Sequence, residues 1–191
     1  AKKSKKKATP PAKKSKKNPP GRFLTVATVN AWDGGKQNEL FSDYLQYVAN
    51  LEPDFIFMQE APHTDHEALE SIKDNYEIAS TTSPNAFNKY EKLMTLRRRN
   101  APWKIIETDH VKSTLCFTQT RVCTVQTMKS IDGKVLKIAN VHLCGGRFDE
   151  KEHCKDTYEK MIKVKTEMLE KVTRKNPDIV LGDFNSDMLH M

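Results

Sequence analysis

No run of about 18 consecutive apolar residues occurs in the 191-residue sequence, which excludes a membrane-spanning helix. No two of its four cysteines (Cys116, Cys123, Cys144, Cys154) stand at C-x-x-C spacing, and no apolar segment follows the basic start to direct secretion. These absences lead to an expectation of reduced thiols, buried or inert, in an intracellular protein. Acidic residues are missing from positions 1–21, where nine lysines stand; taking those nine from the formal charge of +7 leaves −2 for residues 22–191. A field that attracts polyanions therefore belongs to the tail, and the body is not basic.

Residues 1–20 hold nothing large and apolar to offset the entropy of ordering them, so disorder is expected. Two lysine clusters, Lys2 to Lys7 and Lys13 to Lys17, flank the stiff Thr9-Pro10-Pro11 break. The layout fits a nuclear address or a phosphate-binding arm with Lys5, Lys6, Lys7, Lys13, Lys14, Lys16 and Lys17 as its contacts. A solubilising tail is the alternative. Contact with nucleic acid through such an arm is nonspecific and weakened by salt.

Composition changes after Pro19-Pro20-Gly21, dividing the chain into a basic tail (1–21) and one domain (22–191). Phe23 to Trp32 reads as a buried strand, and Leu40, Phe41, Tyr44, Leu45, Val48 and Leu51 recur at the spacing of one helical face, closed by Pro53. Asp54 to Met58 is a short apolar strand, and a second helix is expected over Asp65 to Asp74. Five strand patterns follow, at Tyr76–Ala79, Lys92–Leu96, Trp103–Thr108, Ser113–Thr127 and Lys134–Leu143, with Asp132-Gly133 as a hairpin turn before the last. Asp149 and Glu152 resemble a capping box ahead of a long helix marked by Cys154, Tyr158, Met161, Ile162, Met168, Leu169 and Val172. Asn176-Pro177 stops that helix, and Asp178 to Leu181 forms a final strand. Mixed strands with interspersed helices predict an α/β fold of two sheets with helices packed outside.

Polar residues stand where the apolar strands stop: Asn30, Glu60, His142, and Asp183 with Asn185. Carboxylates placed directly beyond buried strands need water, a hydrogen-bonding partner or a cation. Oxygen donors of this kind suit Mg²⁺, which commonly bridges to phosphate, so phosphate-ester hydrolysis is the natural hypothesis. Singly each signal is weak, since Gly-Asp is a common turn and a lone histidine after a strand is commonly structural.

The four motifs in order, TVNAWD (28–33), FMQE (57–60), NVHL (140–143) and GDFN (182–185), resemble the endonuclease/exonuclease/phosphatase superfamily, which includes DNase I-like and exonuclease III-like nucleases, inositol phosphate phosphatases and neutral sphingomyelinases. The resemblance covers residues 22–191, with KLMTLRR (92–98) as a weaker match to the family's inner strand. It implies a two-sheet α/β sandwich of DNase I-like type with helices outside. It further implies that Glu60 is the main ligand of Mg²⁺, or of Mn²⁺ in its place, with Asn30 lining the metal end. By the same resemblance Asp183 orients or deprotonates the attacking water, Asn185 holds the phosphoryl group, and His142 stabilises or protonates on the phosphate side. The family normally carries a final Asp-His pair well downstream of GDFN, whereas only Ser186 to Met191 follow here and His190 is too near Asn185 to match. The expectation is a domain incomplete at its C-terminus.

Further candidates are Arg147 in the Gly145-Gly146-Arg147 loop, which could reach a substrate phosphate, and Arg97, Arg98 and Arg99, read as a solvated strand end. Arg121 is expected to pair with an acid. His142, Cys144, His153 and Cys154 could be drawn as a zinc site, but their spacing fits no common framework. The leading function is a Mg²⁺-dependent nuclease hydrolysing DNA or RNA, the choice of nucleic acid resting on the tail. The alternatives are an inositol-phosphate or lipid phosphoesterase on the same scaffold, and a catalytically incompetent relative that binds nucleic acid or serves as an interaction surface.

Overall fold

A computed structural model describes residues 23–32, 35, 40–82, 92–113, 121–144 and 154–185, with backbone alone at 154–158. The lysine tail, Arg147 and the Asp149/Glu152 box lie outside the described residues. The first sheet contains β1 (Val26–Asn30), β2 (Phe55–Gln59), β3 (Tyr76–Thr81) and β4 (Leu93–Arg98), in the order β1-β2-β4-β3. The second contains β5 (Trp103–Lys112), β6 (Val122–Ser130), β7 (Val135–His142) and β8 (Ile179–Asp183), in that order. Helix α1 (Phe41–Asn50) joins β1 to its parallel partner β2, α2 is a single turn (Glu67–Glu70), and α3 (Cys154–Thr173) joins β7 to its parallel partner β8. All other pairings are antiparallel.

The alternation of side chains along each strand divides the apolar residues into three layers. Val29, Ile56, Met58, Met94 and Leu96 face outward from the first sheet under Phe41, Leu45 and Val48 of α1. Cys123, Val125, Ala139 and Val141 face outward from the second sheet under Met168 and Val172 of α3. Between the sheets lie Phe55, Phe57, Trp103, Met128 and Ile138. The two-sheet α/β sandwich with helices outside is therefore the observed fold.

Several boundaries differ from the expected ones for local reasons. Leu40, Tyr44 and Leu51 are exposed and only Phe41, Leu45, Val48 and Ala49 of α1 are buried, because the sheet covers one narrow stripe of the helix. Ile162 likewise lies on the open side of α3. The second helix is shorter than Asp65 to Asp74, since Ile72, Lys73 and Asn75 donate to carbonyls three residues back and tighten the segment into turns. Of the strand expected over Ser113–Thr127, β6 covers the part from Val122 onward, residues 114–120 lie outside the described residues, and β5 runs past the expected Thr108 to Lys112. The Asp132-Gly133 hairpin forms as expected, with Gly133 at φ +87° and Lys134 N donating to Ser130 Oγ at 2.9 Å.

The cysteine reading needs correction. Cys123 is a free, buried thiol, but Cys144 is disulfide-bonded. Disulfides require spatial proximity, not sequence spacing, and Cys144 packs on Met161 and Val164 of α3. Its sulfur is accordingly withdrawn from any zinc set. Arg97, Arg98 and Arg99 are not merely solvated: Arg97 pairs with Glu77 at 2.6 Å, Arg98 with Asp54 at 2.7 Å, and Arg99 donates to the Lys73 carbonyl at 3.0 Å. Among the described residues no helix is long and apolar enough to cross a membrane.

Candidate active site

The two parallel strand pairs end at the same edge of the sandwich. Asn30 is in register with Gln59, which places Glu60 one residue beyond β2, and His142 is in register with Asp183 on neighbouring parallel strands. Glu60 adopts φ +49°, Trp32 +45° and Asn185 +47°. A left-handed backbone is strained for residues with a Cβ and concentrates at functional sites. Here it turns three chains sharply just past β1, β2 and β8.

Both sheets contribute side chains. His142 Nε2 lies 3.6 Å from Glu60 Oε1 and 3.9 Å from Asp183 Oδ2, so a single imidazole nitrogen faces carboxylates from the two sheets. Asp183 is held from two sides: Asn30 Nδ2 donates to its Oδ2 at 2.7 Å, bridging residues 153 apart in the chain, and Asn185 N donates to its Oδ1 at 2.8 Å. Asn30 Oδ1 in turn accepts from Trp32 N at 2.8 Å. Asn185 Nδ2 donates to the Leu143 carbonyl at 2.9 Å, tying the loop after β8 to the end of β7. His142 is 1% exposed and Glu60 8%, while the Asp183 side chain keeps 25%, so the site opens to solvent on the Asp183 side.

All five residues expected from the strand ends, Asn30, Glu60, His142, Asp183 and Asn185, thus converge. Two cations join them. Arg121, expected within a long strand pattern, is instead buried at the head of β6, where it places Nη1 3.4 Å from His142 Nε2. Lys165, also buried, donates from Nζ to the Asn185 carbonyl. Both were detectable in principle. Counting back along the antiparallel pair from the Asp132-Gly133 turn sets the residues before Val122 beside the end of β7, and Lys165 stands among Met161, Val164 and Met168 on the buried face of α3.

The donor set suits a hard divalent ion. Glu60 and Asp183 supply carboxylate oxygens, and the Asn30 carbonyl has a second lone pair beyond its bond to Trp32. Among the described residues no three or more His, Cys, Asp or Glu are grouped into a protein-only metal cage. Mg²⁺, which keeps several waters and takes substrate phosphate oxygens, needs no such cage.

Comparison with protein-family models and with curated protein sequences finds no significant match. Solved structures do match. An endonuclease/exonuclease/phosphatase family protein from Bacteroides thetaiotaomicron superposes with a TM-score of 0.62 at 17% identity, covering 88% of this chain and 66% of that one. The mannosyl-6-phosphatase Bt3783 of the same species gives 0.59 at 18% identity, covering 88% and 68%. TDP2 from D. rerio, complexed with single-strand DNA product, gives 0.55 at 17% identity, covering 86% and 61%. This chain spans between 61% and 68% of the length of those proteins. It shares the two-sheet α/β sandwich fold of those proteins, the fold that its four motifs led one to expect.

Proposed function

We propose that this chain is a divalent-metal-dependent phosphoester hydrolase acting on DNA or RNA phosphodiesters, with Mg²⁺ as its ion and Mn²⁺ as a substitute. The observation that carries the reading is the meeting of Glu60 and Asp183, one from each sheet, at His142 Nε2. In this reading Glu60 holds the ion with Asn30 at the same end. When bound, the ion supplies charge stabilisation and a more acidic water. Asp183, oriented by Asn30 Nδ2 and Asn185 N, accepts the proton of the water that attacks phosphorus in line. His142 Nε2 and the Arg121 guanidinium face the phosphoryl oxygens, where positive charge in a dry site is most effective as negative charge develops. Asn185 holds the phosphoryl group, and Lys165 fixes the backbone that carries it. Arg147 is proposed as a further phosphate contact.

Nucleic acid is favoured as substrate by the lysine tail and by the DNA product bound to the D. rerio relative. A phosphatase or lipid phosphoesterase is the second reading, supported by the net charge of −2 on residues 22–191 and by the mannosyl-6-phosphatase relative. The nuclear address read from the lysine clusters belongs to the same proposal. The test incubates the chain with plasmid DNA, RNA, a phosphoinositide and a generic diester, with Mg²⁺ or chelator, beside a Glu60→Ala variant. Chelator-sensitive cleavage that Glu60→Ala lowers by at least about 10²-fold is the expected result. Polyanion binding without turnover would replace the enzyme by a binding protein. Deleting residues 2–17 weakens salt-sensitive binding to DNA and spares turnover of a small diester; unchanged binding would remove the tail's part in choosing the substrate.

A further inference from the structure

The lining between the two sheets changes along the strands. Inward-facing residues on β2 run Phe55, Phe57, Gln59 and lead to Glu60; those on β7 run Leu136, Ile138, Asn140, His142. The apolar half of this gap needs no explanation, but its upper end is built from buried amides directly beneath the site. Gln59 is 1% exposed and Asn140 is fully buried. Gln59 Nε2 donates across the sheets to Asn140 Oδ1 at 2.6 Å and sideways to Thr28 Oγ1 on β1 at 3.0 Å. Asn140 Nδ2 returns a bond to the Met58 carbonyl on β2 at 3.2 Å. A second crossing, Thr95 Oγ1 to Gln126 Oε1 at 3.0 Å, lies alongside.

We propose that Gln59 and Asn140 are positioning residues that lock the relative placement of the two sheets and thereby the geometry of the active site. The inference deepens the phosphoesterase reading, on which its kinetic readout rests. Asn30 and Glu60 come from the first sheet, and Arg121, His142, Asp183 and Asn185 from the second, so the site exists only at one sheet-to-sheet register. Apolar packing is non-directional and does not by itself single out one register between facing sheets. Buried amides do, because a shift that unpairs them leaves desolvated donors and acceptors unsatisfied. The reciprocal pair from Gln59 to Asn140 and from Asn140 to Met58 is set one residue below Glu60 and two below His142, where it constrains the carboxylate–imidazole distance most directly.

The test compares Gln59→Met, Asn140→Leu, their combination, and the exchange Gln59→Asn/Asn140→Gln, which keeps two amides across the gap. Each single change removes the 2.6 Å bond across the gap and leaves a buried amide atom, Asn140 Oδ1 or Gln59 Nε2, short of that partner, which lowers Tm by about 4–8 °C. The apolar double change removes both polar groups and recovers most of that loss, since replacing both partners at constant shape is nearly neutral. Its kcat with Mg²⁺ on a small diester nevertheless stays at least about 30-fold down, as expected for misplacement approaching 1 Å, while the exchange returns kcat to within about fivefold of wild type. An apolar double variant with wild-type Tm and wild-type kcat would overturn the proposal and leave the phosphoesterase reading intact. Should wild type hydrolyse none of the substrates, that reading fails and the inference is decided by a crystal structure of the double variant, or of Gln59→Met should the double not fold. Lengthening of the 3.6 Å His142–Glu60 approach supports it, and an unchanged approach refutes it.

Discussion

Gly182 offers the sharpest test of how the strand pair at the site is built. It adopts φ +125°, and a Cβ placed there would stand 2.1 Å from the carbonyl oxygen of Val141, 2.8 Å from its nitrogen and 3.0 Å from its carbonyl carbon. These are backbone atoms of β7, which is paired on its other side to β6 and cannot yield. Gly182→Ala must therefore push β8 away by about 1 Å, carrying Asp183 with it, and a displacement of that size costs about 10²-fold in rate. The strain of an L residue at this φ is about 1–3 kcal/mol, and the loosened β7–β8 bonds, including Leu143 N to Asp183 O at 2.9 Å, add about 0.5–1.5 kcal/mol each. A total of about 3–5 kcal/mol lowers Tm by roughly 6–20 °C in a chain of this size. Calorimetry and steady-state hydrolysis of a small diester measure the two effects. Gly133→Ala is the control: its φ is also positive, but nothing lies within 4 Å of the added carbon, so it costs only about 1–2 kcal/mol and leaves turnover unchanged. A Gly182→Ala protein melting within about 2 °C of wild type would refute the reasoning, because ordinary Tm shifts per kcal/mol leave no room for the clash.

Asp54 sits at the opposite end of β2 and accepts from Thr25 N and Oγ1 at 3.0 Å each and from Arg98 Nη2 at 2.7 Å. Asp54→Ala breaks a buried pair whose arginine is partly exposed, which costs about 2–4 kcal/mol in a urea titration and leaves kcat unchanged; equal stability would show the pair to be ornamental. Burial pushes the Cys123 thiol up to about 12 from 9.0, opposed weakly by a hydrogen bond with the His142 backbone. Burial likewise pushes the Tyr76 phenol up to about 12 from 10.0, with Arg98 opposing. The unfolded chain releases these protons first, so between about pH 9 and 12 it binds fewer than the folded chain and stability falls as pH rises, by a few kcal/mol near pH 11. Melting at pH 8 and 10.5 reads the slope, and a flat profile would contradict it. At pH 8 native Cys123 should resist iodoacetamide, and rapid labelling would show that the site is not buried.

The fold and the site differ in how far local patterns reveal them. Asp54 to Met58 reads as a buried strand because its apolar run is short and ends in Gln59-Glu60, and Asp132-Gly133 reads as a hairpin because glycine accepts the positive φ that the turn requires. The limits of α1 and α3 were less legible, since the 3.6-residue period marks every apolar position but not how wide a stripe the sheet will cover; hence Tyr44, Leu51 and Ile162 end up in solvent. The disulfide at Cys144 was illegible because covalent pairing depends on distance in space.

Strand periodicity led to two sheets with helices outside them and to polar residues at the strand ends, because burial is a local demand that each strand answers in its own residues; the resemblance carried by four short motifs singled out Asn30, Glu60, His142, Asp183 and Asn185 among them. Packing of one sheet on the other settled what no linear pattern contains: the Asn30–Asp183 bond across 153 residues, the buried cations Arg121 and Lys165, and the amide pair that joins Gln59 to Asn140. Those contacts are made between distant segments, and their geometry exists only once the chain has closed upon itself.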